Sequence, residues 1–293
     1  MPASLRRRIL AETLIVGCVV AVACSATTSR GMRIALPFDI YPGGAYLALL
    51  ALPALFGGEG SEAGGPDIQF AAYAGPSYTM PSALSLVQPG GTEMHFEGIA
   101  WDGEPFKGPI YYGYRGFLWP HDGRTGLMAD FTHIKAMARL ESDVDQTGTR
   151  DGEEVPPREP LAATFRRLEF THGYNFLTLN LVRRATAQGR TLVPYAGAGA
   201  GIALPHVEVL RQGRERSART SEYQVAFPAV QVLGGVEWRV FAHISLFVEY
   251  KLSCAVIRGQ IRSGGHVDTS LCTHQLLGGP AWHFRARGAT TKP

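Results

Sequence analysis

The stretch Ile244–Cys254, ISLFVEYKLSC, decides the fold. Ile244, Leu246, Val248, Tyr250 and Leu252 fall on one side of an extended chain. Ser245, Phe247, Glu249, Lys251 and Ser253 fall on the other. A period of two is the mark of a strand, because successive side chains point to opposite faces. The aliphatic face is continuous, and the opposite face carries a carboxylate two residues from an ammonium. Burying the charged face against aliphatic surface would be costly. The aliphatic face must therefore meet something apolar while the charged face meets its own kind.

The same alternation recurs from residue 67 onward. DIQFAAYAG sets Ile68, Phe70 and Ala72 against Gln69, Ala71 and Tyr73; IYYGYRGFLW sets Tyr112, Tyr114 and Leu118 against Gly113, Arg115 and Phe117. Eight strands are predicted, at about 67–79, 108–119, 125–138, 166–183, 191–209, 222–239, 243–258 and 268–284. Their connections alternate in length. PHDGR, RATAQG and FAH are short, whereas the connections after the first, third, fifth and seventh strands are long. Strands of ten or so residues, an even count, and short turns opposite long loops describe a membrane-spanning barrel. Aromatic residues bunch near the strand ends (Tyr111, Tyr112, Trp119, Trp238, Trp282), as interface girdles do. The predicted fold is all-β: an eight-stranded antiparallel up-and-down outer-membrane barrel with long outer loops, in one chain. A soluble lipocalin-like barrel would bury its apolar face inside; here Arg115, Gln231, Glu237, Glu249 and Lys251 share one face while Ile, Leu and Val occupy the other, and a charged ladder in the narrow interior is normal for a membrane barrel.

The N-terminus predicts export to the bacterial outer membrane. MPASLRRR is a basic start and ILAETLIVGCVVAVA an apolar run of signal length; AYLALLALPALF at 45–56 is a second such run after Met32. Residues 1–60 are assigned to export, with Met32 as an alternative start, and residues 61–293 to the barrel; a membrane hairpin and lipidation at Cys24 are the alternatives. The net charge of +3 gives no argument for nucleic acid. No zinc spacing or phosphate-binding loop is present, and AGAGAG at 196–201 lacks the helix that a dinucleotide site needs. Cys254 and Cys272 both fall on outward-facing positions of the last two strands. Two readings stay open: a cross-strand disulfide, which export permits, and two free lipid-facing thiols.

The first strand must run outward because the first connection is long. In GLMADFTHIKAM the apolar wall of Leu127, Ala129 and Phe131 then continues into His133 and Lys135. In AGAGIALPHVEV the wall of Ala198, Ala200, Ile202 and Leu204 continues into His206 and Glu208. The strand between them carries Glu169, Thr171, His172 and Asn175, with its facing ambiguous. Barrel stagger could bring these three imidazoles together on one patch of outer wall, where the outer leaflet meets its headgroups. Imidazole can act as general base or metal ligand near neutral pH. His133, His172, His206, Glu169 and Asn175 are the catalytic candidates. His133, His172, His206 and Glu208 are the candidate metal set, and Lys135, Arg211, Arg214, Arg216 and Arg219 the candidate phosphate binders. Ordinary interfacial residues that extend toward water would look the same. The acidic, proline-rich connection ESDVDQTGTRDGEEVPPREP reads as a flexible loop or a divalent-cation contact.

WDGEPFKGPIYYGYRGFLW, DFTHIK, LEFTHGYNFLTLNLVRR, PYAGAGAGIALPHVEV, PAVQVLGGVEWRV and SLFVEYK together resemble the lipid A oxidase-like outer-membrane barrels of rhizobial bacteria, over about 66–258. The resemblance implies an enzyme that converts the proximal glucosamine of lipid A to 2-aminogluconate, with molecular oxygen as co-substrate and peroxide as product. Its partner would be lipid A within lipopolysaccharide. No flavin or haem motif is present, so a divalent metal with oxygen is the simplest cofactor expectation. The alternatives are a non-catalytic structural or adhesin-like barrel and a binder of small ligands in the polar interior.

Overall fold

The computed structural model describes residues 67–108, 110–120, 124–185 and 191–285. The export segment, with Met32 and Cys24, lies outside the described residues. Sixteen strands follow in chain order: β1 (Asp67–Tyr73), β2 (Ser77–Thr79), β3 (Ser82–Gln88), β4 (Thr92–Ile99), β5 (Trp101–Asp102), β6 (Tyr112–Trp119), β7 (Thr125–Ala138), β8 (Asp143–Arg150), β9 (Glu153–Glu154), β10 (Arg158–Pro160), β11 (Phe165–Arg184), β12 (Leu192–Arg211), β13 (Thr220–Tyr223), β14 (Ala226–Arg239), β15 (Ile244–Gln260) and β16 (His266–Arg285).

Eight of them close a ring. β1, β6, β7, β11, β12, β14, β15 and β16 are hydrogen-bonded in that order, and β16 pairs back to β1. All of these pairings are antiparallel. The seam is short. β1 covers β16 only from Asp67↔Arg285 to Ala71↔Ala281. Higher up, β2 takes over the same edge at Gln275–Thr273, and β3 at Thr269–His266. The predicted first strand is thus two pieces, broken at Gly75–Pro76, where a side chain on Gly75 would collide with the Leu276 carbonyl. Proline offers no amide to the ladder, so the break falls there.

The long connections extend the wall. β3, β4, β8 and β10 pair in series from β16 outward. This corrects the expectation that 141–160 is a flexible loop. Val144 and Gln146 are buried along β8, while Asp143 and Asp145 face water.

The interior changes character along the barrel axis. In the inner half it is polar. Arg115 donates to both carboxylate oxygens of Glu249, at 2.6 and 3.0 Å. Lys251 donates to Asp130, Tyr73 and Thr132, each at 2.8 Å. Gln231 also donates to Asp130, at 3.0 Å. All of these groups are buried, and the pairing offsets the cost of desolvation. The cavity beside Arg115 measures about 10 Å³, room for one water. In the outer half the interior is apolar: Leu84, Leu86, Phe96, Ile134, Phe170, Val207, Ile257 and Leu271 form one buried cluster.

The switch follows from what surrounds the wall. Within the membrane the outside is lipid and polar groups go in; beyond it the outside is water and apolar groups go in. On β7 the inward series changes from Asp130 and Thr132 to Ile134 and Ala136. On β15 it changes from Lys251 and Ser253 to Ala255 and Ile257, and on β16 from Gln275 and Thr273 to Leu271. These changes mark the outer membrane surface. Below that level Leu118, Leu127, Leu177, Leu179, Leu246, Val248 and Leu276 are exposed on the outer wall. Exposed aliphatic surface around a closed ring fits lipid, not water.

Candidate functional site

His133 lies at the level of the switch, between inward Thr132 and Ile134, and points outward. The facing of β11 resolves through a bulge. Phe170 pairs with Ala136 and Tyr174 with Ile134, so three residues of β11 stand against Lys135. The extra two residues preserve parity. Phe170, Tyr174 and Phe176 all point into the apolar interior, and Leu177 and Leu179 point to lipid. Gly173, with φ of 129°, permits the bulge, since few side chains adopt that backbone conformation. A side chain there would also come within 2.5 Å of the Asn175 amide.

The bulge swings His172 over the neighbouring strand. Its ring lies 4.8 Å from that of His206, edge to face. Both rings address one carboxylate: His172 Nε2 is 3.3 Å and His206 Nδ1 3.4 Å from Glu208 Oε1. The other oxygen, Oε2, accepts from Arg167 at 3.1 Å and from Arg219. Arg167 also holds Glu169, at 2.9 Å. Glu208 stands beyond the spanning stretch of β12, which ends near Leu204. Burial would raise its pKa, but the nearby His206 and the hydrogen bonds from Arg219 and Arg167 outweigh burial and hold it at about 2. Tyr223 on β13 donates to the His172 carbonyl and sets its ring 4.8 Å from His206.

His133 forms the second part. Its Nδ1 is 2.8 Å from Asn175 Oδ1, and the Asn175 amide donates to the Leu204 carbonyl at 3.4 Å. The amide nitrogen is therefore engaged by a carbonyl, and Oδ1 faces the imidazole. Nδ1 must then carry the proton, which leaves the Nε2 lone pair, buried and without a hydrogen-bond partner. Tyr112 stacks on the ring at 4.8 Å. Lys135 is buried beside it and donates to the Lys107 carbonyl at 2.8 Å.

The outer wall thus gathers His133, Lys135, Arg167, Glu169, His172, Asn175, His206 and Glu208 over three adjacent strands. The arginines divide. Arg211 is a correction: β12 runs on to that residue, and its odd position points inward. There it is buried and donates to Asp151 at 2.8 Å, with Gln88 and Thr92 also in reach. Arg214 also binds Asp151, at 3.0 Å, and Arg216 is exposed on a single 3₁₀ turn, Arg216–Ala218. Only Arg219 of the four joins the histidine cluster. Among the described residues, no group of three or more His, Cys, Asp or Glu side chains is disposed to hold a metal ion. The anticipated metal set is divided: His133 is committed to Asn175, and Glu208 to two arginines. The residues do not fit a resident metal.

Arg167, Tyr112 and Tyr223 were not anticipated. The parity of Arg167 with Glu169 and of Tyr112 with Leu118 could have found the first two; nothing in the sequence foretells Tyr223. Cys254 and Cys272 are directly opposed and bonded, which settles the open pair in favour of the disulfide.

No family model matches the chain, and no curated protein matches it. Solved structures similar to it include Neisserial surface protein A (13% identity, 74% of this chain and 98% of that one, TM-score 0.31). Ail, the attachment invasion locus protein of Yersinia pestis, is 10% identical over 75% of this chain and 99% of its own, with a TM-score of 0.31. The outer membrane protease OmpT from Escherichia coli is 9% identical over 74% and 97%, with a TM-score of 0.39. At these values the likenesses carry no functional argument, and the architecture rests on strand register and wall chemistry. A closed eight-strand ring, an aliphatic outer belt and a paired polar interior make this chain a bacterial outer-membrane β-barrel.

Proposed function

We propose that this barrel is an enzyme of the outer leaflet that oxidises the proximal glucosamine of lipid A to 2-aminogluconate. The observation behind this reading is the Nε2 of His133, a buried nitrogen without a hydrogen-bond partner on the outward side of the wall, at the level where headgroups lie, which a sugar hydroxyl would reach by displacing the Tyr112 ring stacked on it. A base is expensive at that position unless it is used. The lipid would lie with its acyl chains along Leu127, Leu177, Leu179 and Ile202, and its sugar against the imidazoles. His133 Nε2 takes the proton of the anomeric hydroxyl. The C1–H bond breaks, two electrons and the second proton pass to molecular oxygen, and the ring becomes a lactone. The first proton leaves His133 with the reduced oxygen as hydrogen peroxide. Water then opens the lactone to the acid. His172, His206 and Glu208 hold sugar hydroxyls and keep the ring in place, with Arg219 and Lys135 supplying positive charge nearby.

Purified, refolded protein given lipid A with a free anomeric hydroxyl tests this reading. Peroxide release that requires oxygen and is lost in His133→Ala supports it. A folded barrel that releases none under the same conditions favours the non-catalytic, adhesin-like alternative.

A further inference from the structure

A second group of catalytic residue types stands on the other side of the barrel, far round the ring from β11. Ser85 on β3 and His95 on β4 are directly opposed. Ser85 Oγ lies 3.0 Å from His95 Nδ1. His95 Nε2 lies 2.8 Å from Glu97 Oε1, two residues along the same face of β4. An ionised carboxylate can only accept, so Nε2 carries the ring proton. Nδ1 is then the acceptor, and the Ser85 hydroxyl is the donor. The hydroxyl proton already points at a base that a carboxylate orients, which is the arrangement nucleophilic catalysis by serine requires.

This group borders an open cleft of about 390 Å³. Met80, Pro81, Ala83 and Val256 supply an apolar floor, and Ser85 and His95 lie on its edge. Val256 and Cys272 belong to the upper margin of the lipid-facing wall, so the cleft opens immediately above the outer leaflet. Arg258 pairs in register with Asp268, which pairs with Ser85, and is the nearest cation along that row.

We propose that Ser85, His95 and Glu97 form a hydrolytic site for a carboxylic ester of a membrane amphiphile. Ser85 Oγ attacks the ester carbonyl while His95 Nδ1 takes its proton. The ester C–O bond then breaks, and His95 returns the proton to the leaving alkoxide. Water, activated by the same nitrogen, releases the carboxylic acid and regenerates Ser85. This site shares no residue with the proposed oxidation and stands or falls independently of it.

The test uses the full folded barrel in detergent with p-nitrophenyl decanoate, beside Ser85→Ala, His95→Ala and Glu97→Gln. Folding is checked by the difference in gel mobility between unheated and boiled samples. Hydrolysis by the parent that falls by roughly 100-fold or more in Ser85→Ala and His95→Ala is expected. A fluorophosphonate probe on the parent protein should also leave its adduct on the peptide containing Ser85, which needs no variant to fold. Absence of that adduct, or hydrolysis by folded Ser85→Ala at the parent rate, overturns the proposal.

Discussion

Asn175 holds His133 in one tautomer: Oδ1 accepts from Nδ1 at 2.8 Å while the amide donates to Leu204. The imidazole thereby keeps an unprotonated, unpartnered Nε2 on the outward side of β7, buried under Tyr112. Asn175→Ala removes the orienting bond without touching the barrel interior. The variant should fold and keep lipid A binding, but lose turnover by roughly 10- to 100-fold, a part of what a positioned general base supplies. Peroxide release, compared with lipid A retention on the refolded protein, separates the two effects.

Gly173 makes the bulge that carries His172 over His206. Its φ of 129° and the 2.5 Å approach to the Asn175 amide leave no room for a side chain. Gly173→Ala should cost about 1–3 kcal/mol of local strain, relieved by shifting both His172 and Asn175. The expected result is an intact barrel, by heat-dependent gel mobility, with oxidation lost. Activity equal to the parent would show that the bulge geometry is not needed.

Glu208 ties the outer ends of β11, β12 and β13 together through Arg167, Arg219 and both histidines. Its pKa of about 2 lies below the ordinary 4.5. A depressed carboxylate stabilises the folded state fully above about pH 4.5, and this contribution fades as pH falls through about 2. Asp151 acts in the same direction, held low first by its bond from Arg211. Protease cleavage of the outer extension should therefore rise over that acid range while the membrane belt stays protected. Glu208→Gln should weaken the outer extension already at neutrality and reduce its further loss between about pH 4.5 and 2, since the titrating carboxylate is gone.

Cys254 and Cys272 sit on a ladder of continuous cross-strand pairs from Ile244↔Trp282 to Gln260↔His266. The disulfide closes a short segment, worth about 3 kcal/mol against the unfolded chain by loop-closure entropy. Replacing both cysteines with serine should lower the denaturant midpoint but leave the folded gel mobility unchanged, because the hydrogen-bonded ladder remains. Failure of the double variant to form a barrel would mean that the bond is needed for assembly.

Much of this was readable from alternation. Ile244–Cys254 gave its facing at once, since one side was aliphatic and the other charged. Leu127 through Lys135 and Ala198 through Glu208 likewise placed His133, His206 and Glu208 on the outer wall by parity alone. What alternation could not show was interruption. The bulge before Tyr174 depends on one positive φ at Gly173, and a glycine in a strand admits many conformations. Arg211 was misplaced for a related reason: composition ended the strand early, while the backbone continued to that residue and turned it inward. The acidic stretch 141–160 read as a loop because its charges hid Val144 and Gln146. Its pairing partner β4 lies some fifty residues away in sequence, beyond any local pattern.

The most direct test is the mass of lipid A from outer membranes that contain this chain, beside His133→Ala and His172→Ala. The account predicts a gain of one oxygen atom with the parent chain, lost in both variants while each still forms a heat-modifiable barrel. Lipid A that gains oxygen equally with the parent and with folded His133→Ala would contradict the outer-wall site. Lipid A left unchanged by the folded parent chain would contradict the oxidation itself.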